Sequence, residues 1–582
     1  MDRKSIIILA LAIGVLFLMS PLVDHFFPPK PVPVAVQDVF TNKPPVENFV
    51  APATAAAPAP IVAEPAIPGQ ILTVSNEDLI WHFTSAGGGL ASVDLRKYPA
   101  VIERPSAKLA PPGLASLNIN APIPVLSLLG HGIQGNNDFT LTRTGQTVRA
   151  EKTLTNGLRL VKEFDIGTNC FFKARLWVEN PTSQPLTVPA REAVIGTATV
   201  VGPMDDPTAM GALWYNGVKS QNIKAAWFAN RTLGCIPGTP RSQYDEGASN
   251  VVWAAVHNQF FVLAAIPSVP ALHLVVDKID VPAPELREPT NSMSVTLTNG
   301  YQAGFTYPAA ILAPGQRIQT DFTFYAGPKE YNRLAQMGQI MNNNLDLIMD
   351  FTGPFGFFSK LMLLSMNGLH ALGLEYGWTV IALTVILKIV FWPLTKASIR
   401  SQKRMQVLQP QLKAINEKYK DDPLKKHQKT TEFLKEHKVS QLGSCLPTLL
   451  QIPVFFGFYW MLRNAIELRG AHFLWAYDLS QPDTVGYLLG FPINPLPLIM
   501  GVTQLWQAHL TPPSPGMDPG QQKIMRFMPL MFIALLYRMS AGLTLYWTVQ
   551  NLLSIVQMKI TKDIDVPAPA PAPVPGPVKK RK

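Results

Sequence analysis

The chain is poor in charge and in cysteine, and each shortage excludes a class of protein. Only 15% of its 582 residues are charged, whereas ordinary soluble domains carry about 25%, so a purely cytosolic protein is not expected. Three cysteines, Cys170, Cys235 and Cys445, exclude a disulfide scaffold and any four-cysteine zinc module. Cys170 and Cys235 would lie in an oxidising compartment, and the sole reason to expect a disulfide between them is that they are two.

Catalytic and metal-binding motifs are also missing. The sequence contains no His-Glu-x-x-His pair, no phosphate-binding glycine loop and no recognisable catalytic triad, and Gly87-Gly88-Gly89 is typical of a turn between strands. We therefore expect no enzyme activity and no cofactor. The sequence has instead 47% hydrophobic residues, a mean hydropathy of +0.13 and a net charge of +11. This balance favours a membrane protein with a soluble part.

The first apolar run predicts a membrane anchor. Ser5–Val23 carries no charge and follows Arg3 and Lys4, and its length is close to the ~20 residues that a helix needs to cross a bilayer. A cleaved signal peptide is the alternative, but the run is long and no Ala-x-Ala site follows closely. We expect an uncleaved anchor over residues 1–27, with the N-terminus in the cytoplasm.

Two proline-rich segments predict spacers. Residues 28–69 include eleven prolines between Pro28 and Pro68, in a mixture with Ala and Val that cannot pack a core and favours an extended linker. A second such segment begins at Val566 and leads into four terminal basic residues. We therefore expect residues 561–582 to form a proline-rich basic tail.

Residues 70–328 predict a large β-sandwich. Apolar and polar residues alternate over 293–298, directly before Asn299-Gly300, and again around Arg159, just after Asn156-Gly157. Such alternation beside an Asn-Gly pair is the strongest short-range signal for a β-hairpin. Because no helix-period segment of comparable length interrupts the pattern, we expect one β-sandwich domain.

The rest of the chain, to residue 560, predicts a helical membrane core. Five apolar segments are long enough to cross a bilayer, and they cover about residues 376–395, 444–464, 486–508, 524–539 and 541–560. A tight turn near Ser540 would join the last two. Together with the anchor, these segments give six spans.

The segment 354–374 decides the topology. It is apolar enough to span, yet it contains Lys360 and His370, and the loop that follows residue 395 holds 12 Lys or Arg against 5 acidic residues up to Gly443. Two crossings before this loop would place it outside, against the positive-inside rule. We therefore expect residues 329–375 to contain an interfacial amphipathic helix. Both termini are then cytoplasmic, and the β-sandwich is periplasmic in a Gram-negative cell.

The basic loop, residues 396–442, predicts a cytoplasmic helical hairpin. Apolar residues recur there at spacings of three and four, as on one face of a helix: Met405, Leu408, Leu412, Ile415 and Tyr419. A second helix is expected after Asp421-Asp422-Pro423. Such a basic surface either tolerates anionic lipid headgroups or binds an acidic partner, ribosomal RNA included.

Lys388 is the sharpest candidate site residue. A lysine in mid-membrane costs ~2.5–3.5 kcal/mol and normally faces protein or a wet cavity. Snorkelling towards the cytoplasmic headgroups is the alternative, because the helix end expected at Pro393 is only about 7.5 Å away. Thr384 lies on the same face. Polar residues on later spans favour a hydrated groove, and these are Gln504, Gln550, Asn551 and Ser554.

Several motifs resemble those of the YidC/Oxa1/Alb3 membrane insertases. They include TKASIRSQKRMQVLQPQL from Thr395, KVSQLGSCLPTLLQIPVFFGFYWMLRNAIELRGAHF from Lys438, DPGQQKIMRFMPLMF from Asp518 and AGLTLYWTVQNLLSIVQ from Ala541. The likeness covers roughly residues 350–560. The anchor, linker and outside β-domain resemble the Gram-negative YidC form, and the β-domain does so chiefly through SNEDLIWHFTSAGGGLASVDLRKYP from Ser75.

The resemblance implies an insertase that has no energy source of its own. Such a protein lets nascent membrane proteins enter the inner membrane and helps them fold, alone or beside the Sec translocon and its accessory subunits. Its spans enclose a hydrophilic groove that is open to the cytoplasm and to lipid. The groove charge of the family is usually Arg, and the matching residue here is Lys388, which keeps the charge but loses the planar five-donor fork.

The resemblance also assigns roles to further residues. Thr384, Tyr546 and Trp547 match positions that line the groove, beside Gln504, Gln550 and Asn551. The basic hairpin matches the family's substrate-receiving hairpin, with Arg400, Lys403, Arg404, Asp421 and Asp422 as its candidate residues. The Lys-rich tail resembles tails that contact the ribosome.

Two other classes stay open at this point. A secondary transporter would need internally repeated spans with broken helices, and the sequence has no such repeat. A membrane-anchored periplasmic carbohydrate-binding or epimerase-like protein would need a paired acid and base. The sequence does not establish whether His82 or His257 pairs with Glu77 or Asp94.

Overall fold

A computed structural model describes residues 69–102, 113–134, 138–202, 205–231, 238–282, 297–351, 355–419, 422–437, 446–510, 530–531 and 533–561. The chain divides into two compact units. The β-rich unit comprises residues 28–357 together with 463–470, and the helical unit comprises residues 1–27, 358–462 and those from 471 onward. The expected anchor lies outside the described residues, as do all but one residue of the expected linker and all but one of the tail.

Short antiparallel strands make up most of the β-rich unit. In chain order they are β1 Ile71–Ser75, β2 Leu79–Thr84, β3 Gly89–Pro99, β4 Leu114–Leu117, β5 Leu128–Leu129, β6 Thr140–Thr144, β7 Thr147–Thr153, β8 Arg159–Ile166, β9 Phe171–Glu179, β10 Leu186–Val188, β11 Arg191–Ala198, β12 Gly211–Tyr215, β13 Ser220–Lys224, β14 Gln243–Glu246, β15 Trp253–His257, β16 Phe261–Pro267, β17 His273–Pro282, β18 Leu297–Tyr307, β19 Ala310–Leu312 and β20 Arg317–Pro328.

These strands form two large sheets and two smaller ones. The largest runs β13-β12-β15-β16-β20-β9-β8-β7-β6, and the second runs β14-β17-β18-β11-β5. A four-stranded sheet, β1-β2-β3-β4, and the pair β10-β19 complete the unit. Strands β11 and β18 of the second sheet lie against β12 and β15 of the first. The predicted β-sandwich is therefore confirmed.

Buried aromatic side chains fill the sandwich. Trp81, Trp253, Phe305 and Phe324 have no exposed surface. Full burial of such a side chain is worth ~1.5–3 kcal/mol relative to exposure. This core explains why alternation along the strands was visible in the sequence, since every second side chain faces it.

The two Asn-Gly pairs behave differently. Asn156-Gly157 forms the expected hairpin turn between β7 and β8, with Gly157 at φ +93° and the Leu154 N–H donating to the Leu158 carbonyl at 2.8 Å. The turn expected at Asn299-Gly300 is wrong, because β18 continues through it and pairs with β17 from Thr306 to Leu297. Ten consecutive cross-strand pairs outweigh the local turn preference of two residues.

The structure also describes the glycine run at residues 87–89 and one of the three cysteines, Cys170. Gly87 and Gly88 form a turn before β3, with φ of +73° and +56°, and a Cβ at Gly88 would collide with the Phe139 ring. Cys170 is a buried free thiol whose Sγ accepts from Arg333 at 3.3 Å. Cys235 lies outside the described residues.

Helices connect and complete the two units. In chain order they are α1 Ala225–Ala229, α2 Tyr331–Met341, α3 Gly356–Ala371, α4 Tyr376–Val407, α5 Gln409–Lys418, α6 Pro423–Glu436, α7 Leu446–Asn464, α8 Pro495–Leu510 and α9 Ala541–Ile560. Single 3-10 turns occur at Pro207–Ala209, Leu345–Met349 and Ile466–Leu468. Between α7 and α8 lies a short hairpin of β21 Gly486–Leu488 and β22 Phe491–Ile493.

One helix within the described part of the chain is long and apolar enough to cross a membrane, and it covers Tyr376–Lys396 within α4. We expected this helix to end at Pro393, but α4 continues through that proline to Val407. The Thr395 hydroxyl donates to the carbonyls of Phe391 and Trp392. Pro393 has no N–H to donate, so α4 lacks one of its regular backbone hydrogen bonds there.

The expected span 486–508 is wrong at its first nine residues. They form the β21–β22 hairpin instead, and the helix begins only at Pro495. Apolar composition alone suggested a span, but Gly486, Gly490 and Pro492 disfavour a helix. Pro495 then starts α8 at the first helical position, where a missing N–H costs nothing.

The ambiguous segment 354–374 contains α3. Its side chains are buried over more than one face, including Leu361, Met362, Leu363 and Met366. That burial is broader than the single apolar stripe of an amphipathic helix. Its position at the membrane interface stays a prediction.

Candidate substrate groove

Helix α9 lies between two other helices of the helical unit and carries most of the polar residues in question. It packs against α4 on one side and α8 on another. Polar side chains follow one another along α9 at Gln550, Asn551, Ser554 and Gln557, a spacing that places three of them on one face. The candidate groove is therefore defined by α4, α8 and α9.

Lys388 contacts α9 directly. Its Nζ donates to Ser554 Oγ at 2.8 Å, and only 7% of the residue is exposed. The Ser554 hydroxyl in turn donates to the Gln550 carbonyl at 2.7 Å. The ammonium is therefore held in the seam between two helices, a placement that favours the groove over snorkelling.

A second polar contact joins the same helices one to two turns further along. Gln557 Nε2 donates to Thr395 Oγ1 at 2.6 Å and to the Trp392 carbonyl at 3.3 Å. Gln557 and Thr395 are not among the groove residues predicted from the sequence. The signal was present, because Thr395 lies seven residues after Lys388 and Gln557 three after Ser554, which continues both faces.

The contact between α8 and α9 is also polar. Asn551 Nδ2 donates to Thr503 Oγ1 at 3.3 Å. Gln504, the neighbour of Thr503, has a buried side-chain oxygen that lacks a hydrogen-bond partner within the described residues. The structure thus places Gln504 and Asn551 at a different seam from Lys388, rather than in one continuous cluster.

The remaining predicted groove residues are engaged in packing or in their own helices. Tyr546 stacks on Phe458 of α7 with ring centroids 4.1 Å apart, and Trp547 meets Phe455 edge-on at 4.8 Å. The buried Thr384 donates to the Val380 carbonyl of its own helix at 2.6 Å. Its hydroxyl proton is therefore already committed.

The basic hairpin has a small core of its own. Leu408 and Leu412 pack with Leu434, and Phe433 covers them. Leu408 and Leu412 are two of the five residues of the apolar stripe expected on the first helix. Their contact with Leu434 joins α5 to α6, so the two helices fold back on each other.

The candidate residues for substrate reception are distributed around this hairpin. Arg400 and Arg404 are exposed on the last turns of α4, and Lys403 Nζ donates to the Thr561 carbonyl after α9 at 2.8 Å. Asp422 is the N-cap of α6 and accepts from the Lys425 N–H at 3.1 Å, a typical capping bond. Asp421 lies outside the described residues.

The β-rich unit contains the acid–base pair that the epimerase-like alternative would need. His82 Nε2 lies 2.9 Å from Asp94 Oδ2. His82 Nδ1 is 3.2 Å from Thr73 Oγ1, and the Ser116 hydroxyl donates to Asp94 Oδ1. One residue from each of β1 to β4 thus forms a polar ladder across the sheet, in which both ring nitrogens are already bonded to neighbours.

Comparisons with known proteins agree over both units. The family model described as the YidC periplasmic domain matches residues 71–364, and the model described as the 60Kd inner membrane protein matches residues 368–567. A membrane protein insertase YidC from Cupriavidus taiwanensis is 38% identical over 312 residues, which are 53% of this chain and 50% of that protein. One from Pseudomonas aeruginosa is 36% identical over 315 residues, or 54% and 49% of the two chains.

Solved structures include relatives of the same name. A YidC insertase crystal structure with the first transmembrane domain resolved aligns over 84% of this chain and 94% of its own, at 16% identity and a TM-score of 0.32. YidC from Thermotoga maritima aligns over 84% and 99%, at 12% identity and a TM-score of 0.27. The sequence alignments span about half the length of the curated relatives. Because one family model alone covers half of the sequence, the chain belongs to the YidC family of inner-membrane proteins with a periplasmic domain.

Proposed function

We propose that this chain is a membrane protein insertase and chaperone, which receives nascent inner-membrane proteins and releases their apolar segments into lipid. One observation carries the proposal, namely the buried ammonium of Lys388 between α4 and α9. A lysine amine has three protons to donate, and Ser554 accepts one of them. Within the described residues, no carboxylate forms an ion pair with Lys388. In the proposed mechanism the protonated amine is therefore a positive charge that a carboxylate of the substrate can neutralise.

Such a charge attracts an acidic segment that has to cross the membrane. A carboxylate of the substrate that approaches Lys388 exchanges water for an oppositely charged partner, so its desolvation cost falls. The polar side chains of α9 and Gln504 of α8 offer further hydrogen bonds to the passing backbone. A polar flank then need not cross the ~30 Å hydrocarbon core without partners.

Burial of the adjoining apolar segment supplies the driving force. Transfer from water to lipid is favourable by ~25 cal/mol per Å2 of apolar surface, so no nucleotide or other energy source is required. The aromatic seam of Tyr546 and Trp547 with α7 offers an apolar side to the same pathway. During insertion the polar flank of the substrate then stays in the polar seam, while its apolar segment moves into lipid.

The finer topology belongs to the same proposal. Six spans, cytoplasmic termini and a cytoplasmic basic hairpin would bring the exposed Arg400 and Arg404 to the ribosome and to incoming chains. The Sec translocon is the proposed partner for substrates with large translocated parts. The β-rich unit would lie in the periplasm.

Insertion into vesicles by the purified full chain tests the proposal. The substrate is a single-span protein with an acidic tail, and protection of the tail from protease measures its translocation. Lys388→Arg is expected to retain the yield within about twofold, because the charge persists. Lys388→Ala should lower it about tenfold, which equals ~1.4 kcal/mol, and Lys388→Glu should lower it further.

The matched control is Lys559→Glu. Lys559 is an exposed lysine of α9 that lies 5.2 Å above the Trp506 ring. The same charge reversal therefore occurs on the helix that contacts Lys388, but at an exposed position away from Ser554. It should leave the yield unchanged. Full activity of Lys388→Glu at normal abundance in the membrane would remove Lys388 from the mechanism, and a chain that protects no tail at all would overturn the insertase itself.

A further inference from the structure

The hairpin between α7 and α8 has an unusual tip. β21 and β22 pair in the register Gly486↔Ile493 to Leu488↔Phe491, so a two-residue turn of Leu489 and Gly490 joins them. Both turn residues have positive φ, +52° and +79°. Two-residue turns of this kind strongly prefer Asn-Gly, because a side chain with a Cβ is strained at positive φ. Leucine therefore occupies a position that its backbone preference disfavours.

The side chain of Leu489 would also be unfavourably exposed if it faced water. Leu489 is completely exposed, and Tyr487, Leu488 and Phe491 are each more than half exposed. No Asp, Glu, Lys or Arg occurs between Asp483 and Asp518. Contiguous exposed apolar surface of this kind marks an interaction site. A leucine at this position is thus unfavourable both for the backbone and for the solvation of its side chain. An apolar environment around the tip would remove the second cost.

Hydrogen bonds hold the base of the hairpin in place, so its tip projects from an ordered structure. Tyr537 Oη donates to the Pro492 carbonyl at 2.7 Å, and Asn494 Nδ2 donates to the Tyr537 carbonyl at 2.7 Å. The Thr484 hydroxyl donates to Asn494 Oδ1 at 2.7 Å. Asn494 itself is almost completely buried. An isolated two-stranded hairpin is at best marginally stable in water, and these bonds hold it.

The surface that continues from the hairpin identifies its occupant as lipid. Asn494 leads directly into α8, whose exposed residues before Ala508 are all apolar and recur at helical spacing on one face: Leu498, Ile499, Val502, Leu505 and Trp506. In the proposed function, on which this inference rests, that face lies against the acyl chains. Tyr487 and Phe491 then stand at the level where aromatic side chains concentrate in membrane proteins.

We propose that the hairpin 484–494 is a membrane-interface anchor, whose tip at Leu488 and Leu489 enters the headgroup–acyl boundary of the leaflet opposite the basic hairpin. The anchor fixes the depth and tilt of α8, the helix that carries Thr503 and Gln504 of the candidate groove. An interfacial apolar tip of this size buries its side chains ~5–10 Å into the boundary, as amphipathic helices do. It binds lipid without any charged contact.

Depth-dependent quenching on the full chain in vesicles of phosphatidylethanolamine and phosphatidylglycerol tests the proposal. A fluorescent amino acid replaces Leu489, Val218 or Val502 in turn. Val218 is the matched control, since it is an equally exposed apolar residue beside a turn of the β-rich unit. Val502 is the reference for the lipid-facing side of α8.

We expect the probes at residues 489 and 218 to respond oppositely to lipid-bound and aqueous quenchers. The probe at 489 should be quenched by lipids labelled near the headgroup and about fivefold less by aqueous iodide than the probe at 218. The probe at 502 should respond best to lipids labelled deeper in the chain. Iodide quenching at 489 equal to that at 218 would place the tip in water, and protection from both quenchers would place a protein there. Either result overturns the proposal.

A second variant separates anchoring from folding. Asn tolerates positive φ, so Leu489→Asn should leave the turn at least as stable. It should nevertheless make a probe at Tyr487 several-fold more accessible to iodide. Unchanged accessibility would contradict lipid anchoring. Because quenching requires no substrate, failure of this proposal is distinguishable from failure of insertase activity.

Discussion

The β-rich unit and the helical unit both bury lysines, but they surround the amines differently. Lys162 has no exposed surface, donates to the Gly87 carbonyl and lies 4.4 Å from the Phe139 ring centroid. Lys329 Nζ lies 3.0 Å from His257 Nδ1. Lys388 instead contacts a hydroxyl in a seam between two helices. The first two amines are enclosed within a closed core, whereas the third lies where neighbouring helices meet.

The closed core of the β-rich unit also changes the protonation of its two lysines. Burial lowers the pKa of Lys162 to about 7 and that of Lys329 to about 7, so each loses about half of its charge near neutral pH. Burial also holds the pKa of His257 well below its usual range. The β-rich unit thus accommodates its lysines by partly discharging them. The helical unit, in our proposal, needs the charge.

The largest expected difference is in the need for lipid. Residues 28–357 expressed alone in the periplasm should fold as a soluble unit, because the sandwich buries its own aromatic core. The circular-dichroism spectrum should be mainly β. Recovery only in detergent, or a mainly helical spectrum, would contradict the division into a self-sufficient β-rich unit and a lipid-dependent helical one.

Removal of Lys162 should change stability with a sign that depends on pH. Because its folded pKa is about 7 and its unfolded value 10.5, the unfolded chain binds more protons between these limits, and stability rises with pH there. The cost of burying the amine is fully present below pH 7, where it amounts to about 4–5 kcal/mol. It vanishes above the unfolded pKa.

Lys162→Met should therefore stabilise the β-rich unit at pH 6 and destabilise it above the unfolded pKa of 10.5, where only the lost bond to Gly87 counts, ~1–3 kcal/mol. Urea unfolding of residues 28–357 across this pH range measures both effects. The slope of stability against pH should fall by about 1.4 kcal/mol per unit, and Lys329 should supply the slope that remains. Destabilisation at every pH would show that Lys162 is buried for packing alone.

The same substitution in the helical unit should act on function. Lys388→Met removes a costly charge from a helix in lipid, so thermal stability in detergent should stay the same or rise. Insertion of a substrate with an acidic tail should fall about tenfold, or ~1.4 kcal/mol. A substrate whose tail is neutral is the control and should insert normally. Equal losses for both substrates would indicate structural damage.

The sequence predicted these two environments unequally. Lys388 was visible because a charge within an apolar run is costly wherever it faces, and the stripe of Leu408 and Leu412 was visible because helical spacing survives in any context. Lys162 gave no signal, since charged residues on alternating strands normally face water. Its burial depends on the loop from Gly87 and on Phe139, which are distant in sequence.

Other failures came from competition between local and non-local effects. The turn at Asn299-Gly300 was wrong because pairing along β17 overrides local preference. The span from 486 was wrong because composition does not register backbone breaks at Gly490 and Pro492. In both cases one local feature of the sequence, a turn pair or an apolar composition, was outweighed by another feature of the backbone.

The smallest expected effect concerns the second contact between α4 and α9. Gln557→Leu removes the bonds from Gln557 Nε2 to Thr395 Oγ1 and to the Trp392 carbonyl. Hydrogen bonds between helices in membranes average ~0.6 kcal/mol, and the Thr395 hydroxyl keeps its own bond to the Phe391 carbonyl. The loss in unfolding free energy for the two bonds should therefore be about 1 kcal/mol, and insertion of the acidic substrate should change less than twofold. Unfolding in mixed detergent, with Leu553→Ile as the packing control, measures the first quantity. A loss as large as that of Lys388→Met in the insertion assay would extend the functional seam to Gln557, and would show that the polar row of α9 acts as one unit rather than through its lysine partner alone.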